Sequence, residues 1–166
     1  VAPSQIGSVE FAAERTGARL VVVLGHSMCG AVLATLEELR RPIENRSPNL
    51  RAIVDRVKPL IKGLLDADPP HDSEAVVQEA VRANIRASAG QLRHGSDILE
   101  QMIAGDGLLG VGAEYSLETG LVYFFRWSTG RRLTRKGKVM ILFLAHRVIT
   151  AGFGAAIYRL MGSVNK

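Results

Sequence analysis

The sequence predicts an α/β fold, and three features of the chain lead to this prediction. Leu20–Leu24 is an apolar run rich in β-branched residues, which is typical of a strand buried in a parallel sheet. Gly107–Tyr115 has the composition of a second buried strand, and Leu121–Phe125 follows a Glu-Thr-Gly turn as its expected hairpin partner. Several helical segments separate the first strand from the second, and strands interleaved with helices indicate the α/β class.

Five helices are predicted, over Val9–Thr16, Ala31–Arg40, Leu50–Ala67, about Ser73–Leu92 and Asp97–Ala104. Ser8 is the expected N-cap of the first helix, and Gly17 is its expected stop. Pro59 is expected to kink or divide the third helix. The apolar stripe of the fourth helix is expected to contain Ala75, Val76, Glu79, Ala80, Ala83 and Ala87.

Charge divides the chain into two parts. Of its 166 residues, residues 1–125 contain 12 Lys or Arg and all 16 Asp or Glu, whereas residues 126–166 contain 9 Lys or Arg and no acid. We therefore predict an α/β domain over residues 1–125 and a basic amphipathic tail over residues 126–166. The single cysteine excludes an internal disulfide, and no signal peptide is visible, so a cytoplasmic protein is expected.

The tail combines a basic cluster, Arg131–Lys136, with two apolar stretches, Val139–Ala145 and Val148–Tyr158. His146-Arg147 interrupts the apolar stretches, which disfavours a membrane span of ~20 apolar residues. A segment that lies on an anionic membrane surface or on a partner subunit is favoured, and a sequence from a shifted reading frame stays open. Aromatic residues are few and do not alternate with the basic cluster, which argues against nucleic-acid binding.

The residues with the clearest chemistry lie in the turn after the first strand. His26 and Cys29 are three residues apart, and imidazole and thiolate are ligands that zinc prefers. A helix that begins at this point favours the thiolate form of Cys29. The alternative is a turn histidine bonded to the backbone beside a small buried thiol. The three other histidines, at positions 71, 94 and 146, lie outside this motif and are expected at the surface or a boundary.

Gly25-His26-Ser27-Met28-Cys29-Gly30-Ala31 resembles the second zinc half-site of the β-class carbonic anhydrases. Ser8–Ala12 resembles the helix before this strand in the family, and Gly110–Gly120 resembles the family's late Gly-Ala-x-Tyr-Asp-x-x-Thr-Gly strand and turn. Tyr115 and Thr119 match this late motif and are expected to be structural. The resemblance covers about residues 1–125.

The resemblance implies a mostly parallel sheet flanked by helices, with the family's first strands missing. It also implies a lyase that catalyses zinc-dependent reversible hydration of carbon dioxide to bicarbonate. His26 and Cys29 would be ligands of Zn²⁺, and the backbone of Gly30 would donate to bound substrate. A homodimer or higher homo-oligomer is expected.

The chain departs from the family in two respects. The family's first half-site, Cys-x-Asp-Ser-Arg, would precede Val1, so a third zinc ligand and the catalytic Asp–Arg pair cannot be assigned here. Ser116 stands where the family has Asp. Without the preceding strands, Leu20–Leu24 is expected to have an exposed edge. A non-catalytic oligomerisation or binding module, and a membrane-surface protein acting through its tail, are the alternative functions.

Overall fold

The computed structural model describes residues 1–42, 47–67, 73–125 and 138–143. Its elements in chain order are α1 (Pro3–Arg15), β1 (Ala18–His26), α2 (Gly30–Arg40), α3 (Pro48–Ala67), α4 (Ser73–His94), α5 (Asp97–Ala104), β2 (Leu109–Tyr115), β3 (Val122–Phe125) and β4 (Lys138–Phe143). The predicted α/β class, with a mostly parallel sheet and flanking helices, is confirmed.

The sheet has the strand order β3-β2-β1-β4. β1 is parallel to both of its neighbours, β2 and β4, and β3 runs antiparallel to β2 as the predicted hairpin partner. In the β1–β2 ladder, Leu20 lies opposite Leu109 and His26 lies opposite Tyr115. The carboxyl ends of β1 and β2 therefore meet at one edge of the sheet.

The expectation that β1 has an exposed edge is wrong. β4 pairs with it in parallel, from Ala18 opposite Lys138 to Leu24 opposite Phe143. A segment of the tail that follows the basic cluster thus supplies a ladder of hydrogen bonds to backbone groups that would otherwise form an open edge. The basic cluster and the remainder of the tail lie outside the described residues, so the domain boundary at Phe125 and the amphipathic tail stay predictions.

The main hydrophobic core lies between the helices and one face of the sheet. Ile85 of α4 is 1% exposed and packs against the sheet at two glycines. A Cβ atom on Gly25 would lie 2.6 Å from Cγ1 of Ile85, and one on Gly112 would lie 2.9 Å from its Cγ2. Both glycines therefore let α4 approach β1 and β2 closely. A second cluster on the opposite face contains the buried residues Leu20, Val22, Leu24 and Ala113.

An ion pair joins α4 to β2 beside this core. Nε of Arg82 lies 2.8 Å from Oε2 of Glu114, whose side chain is only 4% exposed. Glu114 lies opposite Gly25 in the β1–β2 ladder, so the pair is close to the end of β1. The buried carboxylate is thus matched by a guanidinium, as a charge in this position requires.

Most helix boundaries agree with the prediction, and α1 is the main exception. It begins at Pro3 rather than after Ser8, because proline is favoured in a first helical turn. Ser8 lies inside the helix and donates to the carbonyl oxygen of Ser4 at 2.9 Å. Gly17 ends the helix with φ +74°, as predicted. α3 continues through Pro59 as one helix.

The predicted stripe of α4 is partly wrong. Ala75 is exposed and Glu79 is half-buried, whereas the buried face contains Val76, Ala80, Val81, Ile85, Ser88, Ala89 and Leu92. The helix contacts β1 and β2 on one side and α2, α3 and α5 on others, so its buried surface is wider than a single stripe. In the described part of the chain, no helix has the length and apolar character needed to cross a bilayer.

Candidate metal centre

The candidate site is the corner where β1 ends and α2 begins. His26 is the last residue of β1, and Cys29 is the N-cap of α2, with φ −61° and ψ 116°. Between them, Met28 has φ +53°, a left-handed conformation that is uncommon outside glycine. This tight corner brings the side chains of His26 and Cys29 close enough for each to shift the pKa of the other.

The ring of His26 is oriented by the backbone of the next residue. Its Nδ1 lies 2.8 Å from the carbonyl oxygen of Ser27. Because a carbonyl only accepts hydrogen bonds, Nδ1 carries the proton in this contact and Nε2 is left for another partner. The hydrogen bond with Cys29 raises the pKa of His26, the Ser27 carbonyl raises it further, and burial opposes both.

The thiol of Cys29 is half-buried at the N-terminus of α2. Burial raises its pKa, but the hydrogen bond with His26 and the backbone N–H groups of Val32 and Ala31 together lower it by more, so the net pKa is lowered. The positive end of the helix favours the same charged form. The corner therefore favours the thiolate of Cys29, which is the form that binds zinc, beside a ring whose raised pKa favours its protonated form. Zinc binding would release the proton from this ring, because only a neutral imidazole is a metal ligand.

A second turn, after β2, is bonded to this corner. The N–H of Ser27 donates to the carbonyl oxygen of Tyr115 at 2.9 Å. The hydroxyl of Ser27 donates to Oε2 of Glu118 at 2.8 Å and accepts from the N–H of Leu117 at 2.9 Å. The hydroxyl of Ser116 donates to the same Glu118 oxygen at 2.9 Å. We call Ser27, Ser116 and Glu118 the hydroxyl–carboxylate clamp.

Local sequence patterns do not identify the clamp. In the sequence, Glu118 is only a turn residue and Ser116 only a departure from a family motif. Only the predicted pairing of β1 with β2 could have indicated this contact, because residues that follow two neighbouring parallel strands meet at one edge of the sheet. Glu118 is exposed, and its own backbone N–H together with the hydroxyls of Ser27 and Ser116 lowers the pKa of its carboxyl group.

The other residues singled out from the sequence lie around the same edge. Gly30 is exposed at the first position of α2, where backbone N–H groups have no partner within the helix. Apart from its chain neighbours and the backbone of α2, no atom lies within 4 Å of the position that a Cβ on Gly30 would take, so this side of Gly30 is open. Thr119 has a role in the turn, since its N–H donates to the hydroxyl of Ser116 at 3.1 Å.

The sequence model of the carbonic anhydrase family matches residues 2–122 of this chain. The chain belongs to the β-class carbonic anhydrases. It is 32% identical over 117 residues to carbonic anhydrase 2 of Mycobacterium tuberculosis, which covers 69% of this chain and 53% of that protein. It is 36% identical over 117 residues to a carbonic anhydrase of Mycolicibacterium smegmatis, with 70% and 54% covered.

Solved structures of β-carbonic anhydrases share the fold. CafA of Aspergillus fumigatus superposes with a TM-score of 0.64 at 20% identity, over 75% of this chain and 57% of that chain. A tetrameric β-carbonic anhydrase of Sordaria macrospora superposes with a TM-score of 0.60 at 21% identity, over 75% and 62%. The chain spans about half the length of the curated carbonic anhydrases that it matches.

The described residues contain the His26–Cys29 pair predicted from the sequence and no larger set of candidate metal ligands. Within residues 1–42, 47–67, 73–125 and 138–143, no group of three or more His, Cys, Asp or Glu side chains is arranged to hold a metal ion. His94 is exposed on α4, with Nδ1 3.2 Å from Oε1 of Glu100. His71 and His146 lie outside the described residues. The imidazole and the thiolate thus fit zinc, and the described part of the chain provides these two donors.

Proposed function

We propose that this carbonic anhydrase chain acts in zinc-dependent reversible hydration of carbon dioxide to bicarbonate, with His26 and Cys29 as zinc ligands. The observation that supports the proposal most strongly is the position of the two donors, with His26 at the end of β1 and Cys29 at the N-cap of α2 on either side of the left-handed Met28. Each of the two side chains also shifts the pKa of the other. Membership of the family supports the reaction, and the positions of His26 and Cys29 at the corner support their assignment as zinc ligands.

A bound zinc ion would supply a nucleophilic hydroxide at neutral pH, because the metal lowers the pKa of water to about 7. The chain's own residues would orient this chemistry. His26 presents Nε2 because its Nδ1 is engaged by the Ser27 carbonyl, and Cys29 presents a sulfur whose pKa is lowered. Gly30 would offer its backbone N–H to an oxygen of carbon dioxide or bicarbonate at the N-terminus of α2.

The count of ligands sets a requirement on the complete site. A catalytic zinc has three protein ligands and one open position. Since the described residues supply two, we propose that a further ligand comes from elsewhere in the protein or from a second copy in a homo-oligomer. The Sordaria macrospora relative is a tetramer, which supports assembly of this chain into a homodimer or a larger homo-oligomer. A cytoplasmic location remains part of the proposal.

The test combines metal content with catalysis. Zinc is measured after dialysis, and carbon dioxide hydration is followed by stopped flow, for the wild type and for His26→Ala and Cys29→Ser. His94→Ala is the matched control, since it removes an exposed imidazole away from the corner. Stoichiometric zinc and a rate above buffer, lost in both site variants and kept in the control, are expected. A wild type that holds no more zinc than the His26→Ala and Cys29→Ser variants would reject the proposal.

A non-catalytic binding or assembly module is the second candidate, and the two-donor count among the described residues favours it. Such a module forms a stable oligomer whose unfolding is indifferent to zinc. A zinc enzyme, in contrast, gains about 2.7 kcal/mol of stability when free zinc reaches 100 times its Kd. Thermal unfolding with and without zinc, on wild type and His26→Ala, separates the two candidates.

A further inference from the structure

We propose that Glu118 is a positioning residue for the metal centre: through Ser27 it fixes the peptide whose carbonyl oxygen orients the ring of His26. This inference rests on the proposed function, in that His26 is taken as a zinc ligand. It assigns a role to a residue 91 positions away from Ser27 in the sequence. Three sets of hydrogen bonds connect Glu118 with His26.

The first contact lies between His26 and the Ser27 carbonyl. The 2.8 Å distance from Nδ1 makes this carbonyl the acceptor that holds the Nδ1–H tautomer. Only in that tautomer of the neutral ring does Nε2 keep the lone pair that a metal needs. Metal-binding histidines are generally oriented by a hydrogen bond of this kind from their second nitrogen. The position of the Ser27 peptide therefore favours the tautomer in which Nε2 can bind a metal.

The second contact set fixes that peptide. Ser27 is bonded by its N–H to the Tyr115 carbonyl, and by its hydroxyl to Leu117 and Glu118. Its hydroxyl accepts from the Leu117 N–H, so its own proton goes to the carboxylate. Without the carboxylate, the hydroxyl loses this charged acceptor. A charge-assisted bond of this type is about twice as strong as a neutral one.

The third contact explains why a serine accompanies Glu118. The hydroxyl of Ser116 accepts from the N–H of Thr119 and donates to the same Oε2 atom that receives Ser27. An aspartate at position 116 would be unable to donate to Glu118 and would repel its charge. The serine that departs from the family motif thus fits the carboxylate two residues later. One oxygen of Glu118 accepts hydrogen bonds from both hydroxyls and so connects the turn after β2 with the β1–α2 corner.

The corner depends on such a link because of its own backbone. Met28 holds φ +53° with a side chain that is 53% exposed, so packing does little to impose this conformation. A non-glycine residue in the left-handed region costs of order 1–3 kcal/mol and persists where its surroundings fix it. The hydrogen bonds of Ser27 hold the residue immediately before Met28. Loss of the clamp frees the Ser27 peptide to rotate away from Nδ1.

The first readout needs no metal. The tautomer of His26 is measured by ¹⁵N–¹H correlation NMR on the metal-free full chain, above the His26 pKa, with His26→Ala to assign the signal. The parent chain and all variants carry Cys29→Ala in this measurement, because a thiolate at position 29 would compete for the ring proton. The parent chain is expected to show the Nδ1–H form. Glu118→Ala and Ser27→Ala are expected to shift the population toward the Nε2–H form. Glu118→Gln retains an oxygen that accepts both hydroxyls and is expected to retain the wild-type tautomer.

The second readout is zinc affinity, measured by competition with a chromophoric chelator. Loss of a group that orients a metal ligand costs about 10- to 100-fold in metal affinity. Glu118→Ala and Ser27→Ala are expected to fall in this range, and Glu118→Gln to stay within about threefold of wild type. Glu14→Ala removes an exposed carboxylate on α1 and is the matched control. Circular dichroism verifies that each variant is folded.

A shifted tautomer in Glu118→Ala and Ser27→Ala, with recovery in Glu118→Gln, supports the positioning role. A folded Glu118→Ala chain that keeps the Nδ1–H tautomer overturns it, whatever the zinc affinity. If Glu118→Ala does not fold, Ser27→Ala with an unchanged tautomer overturns it equally. If the wild type binds no zinc but the tautomer shifts, the positioning role stands and the proposed zinc function fails.

Discussion

Gly25→Ala places a methyl group at the point where α4 rests on the sheet, one residue before His26. The added Cβ would lie 2.6 Å from Cγ1 and 2.7 Å from Cδ1 of Ile85. Carbon atoms in favourable contact are about 3.5–4.0 Å apart, so Ile85 would have to move by about 1 Å. Its Cγ2 is already close to Gly112, which restricts movement in that direction.

The expected cost follows from overpacking a closed core. Ile85 is 1% exposed, so the extra volume cannot be released to solvent. Inserting a methylene-sized group into a well-packed core costs about 1–3 kcal/mol. For a chain of this size each kcal/mol lowers the melting temperature by about 2–4 °C. Gly25→Ala is therefore expected to reduce the free energy of unfolding clearly while the circular dichroism spectrum stays the same.

The assay is a double-mutant cycle in urea. Ile85→Ala alone leaves a cavity and is expected to cost about 2–5 kcal/mol. In the double variant, the methyl group added at position 25 enters part of this cavity, so the combined cost is expected to be at least about 1 kcal/mol less than the sum of the two single costs. Gly63→Ala is the control, since Gly63 lies exposed in α3 with no atom near the added Cβ.

Gly63→Ala is expected to be neutral or to stabilise the protein by about 0.4–1 kcal/mol, because alanine is the better helix former. Strict additivity of Gly25→Ala and Ile85→Ala would refute the close approach of α4 to β1. So would a Gly25→Ala variant as stable as the wild type. Either result would mean that the corner is not held against the core as described.

Two further predictions concern charges near the sheet edge. In the metal-free chain, the alkylation rate of Cys29 is expected to increase at a lower pH than the alkylation rate of a free thiol, whose pKa is about 8.5. The reason is that the lowered pKa of Cys29 gives more thiolate at any given pH. His26→Ala removes a cause of the lowering and should move the rise in alkylation rate to higher pH; an unchanged profile would contradict the contact. Arg82→Ala is expected to cost about 3 kcal/mol in urea unfolding, since it leaves the Glu114 carboxylate buried without its partner. Arg86→Ala, which breaks an exposed pair, should cost less than about 1 kcal/mol, and equal costs for the two would contradict the burial of Glu114.

Local sequence patterns predict the parts of the fold whose causes are local. The β-branched run predicts β1 correctly, and the α5 helix predicted over Asp97–Ala104 is present, capped by the Ser96 hydroxyl, which accepts from the N–H of Leu99 at 3.2 Å. Gly17 ends α1 because its positive φ is cheap for glycine. The start of α1 is misplaced in the prediction because two capping signals, Pro3 and Ser8, compete within one short stretch. The helix begins at the proline.

Contacts between distant segments cannot be predicted in the same way. β4 belongs to a stretch whose apolar residues fit a strand, a surface helix or a membrane-associated segment equally well, and only its pairing with β1 distinguishes them. The predicted stripe of α4 is partly wrong because that helix packs on several elements at once. Periodicity gives one apolar face and does not show how wide that face becomes when several elements surround it.

The same distinction between local and long-range causes applies to the residues of the candidate site. His26 and Cys29 can be found from the sequence because they lie within one short motif at the end of a strand. The clamp cannot, because Ser27 and Glu118 are 91 residues apart and meet only through the parallel pairing of β1 with β2. The Arg82–Glu114 pair escapes prediction for a similar reason, as a glutamate in a buried strand gives no sign of its partner on α4.

The most direct test of the metal centre is zinc K-edge X-ray absorption on the zinc-loaded full chain. Ligation by Cys29 and His26 predicts one sulfur at about 2.3 Å and nitrogen at about 2.0–2.1 Å from the metal. Cys29→Ser should remove the sulfur, and His26→Ala should reduce the nitrogen contribution. A zinc shell without sulfur in the wild type, or one that Cys29→Ser leaves unchanged, would contradict a metal centre at the β1–α2 corner.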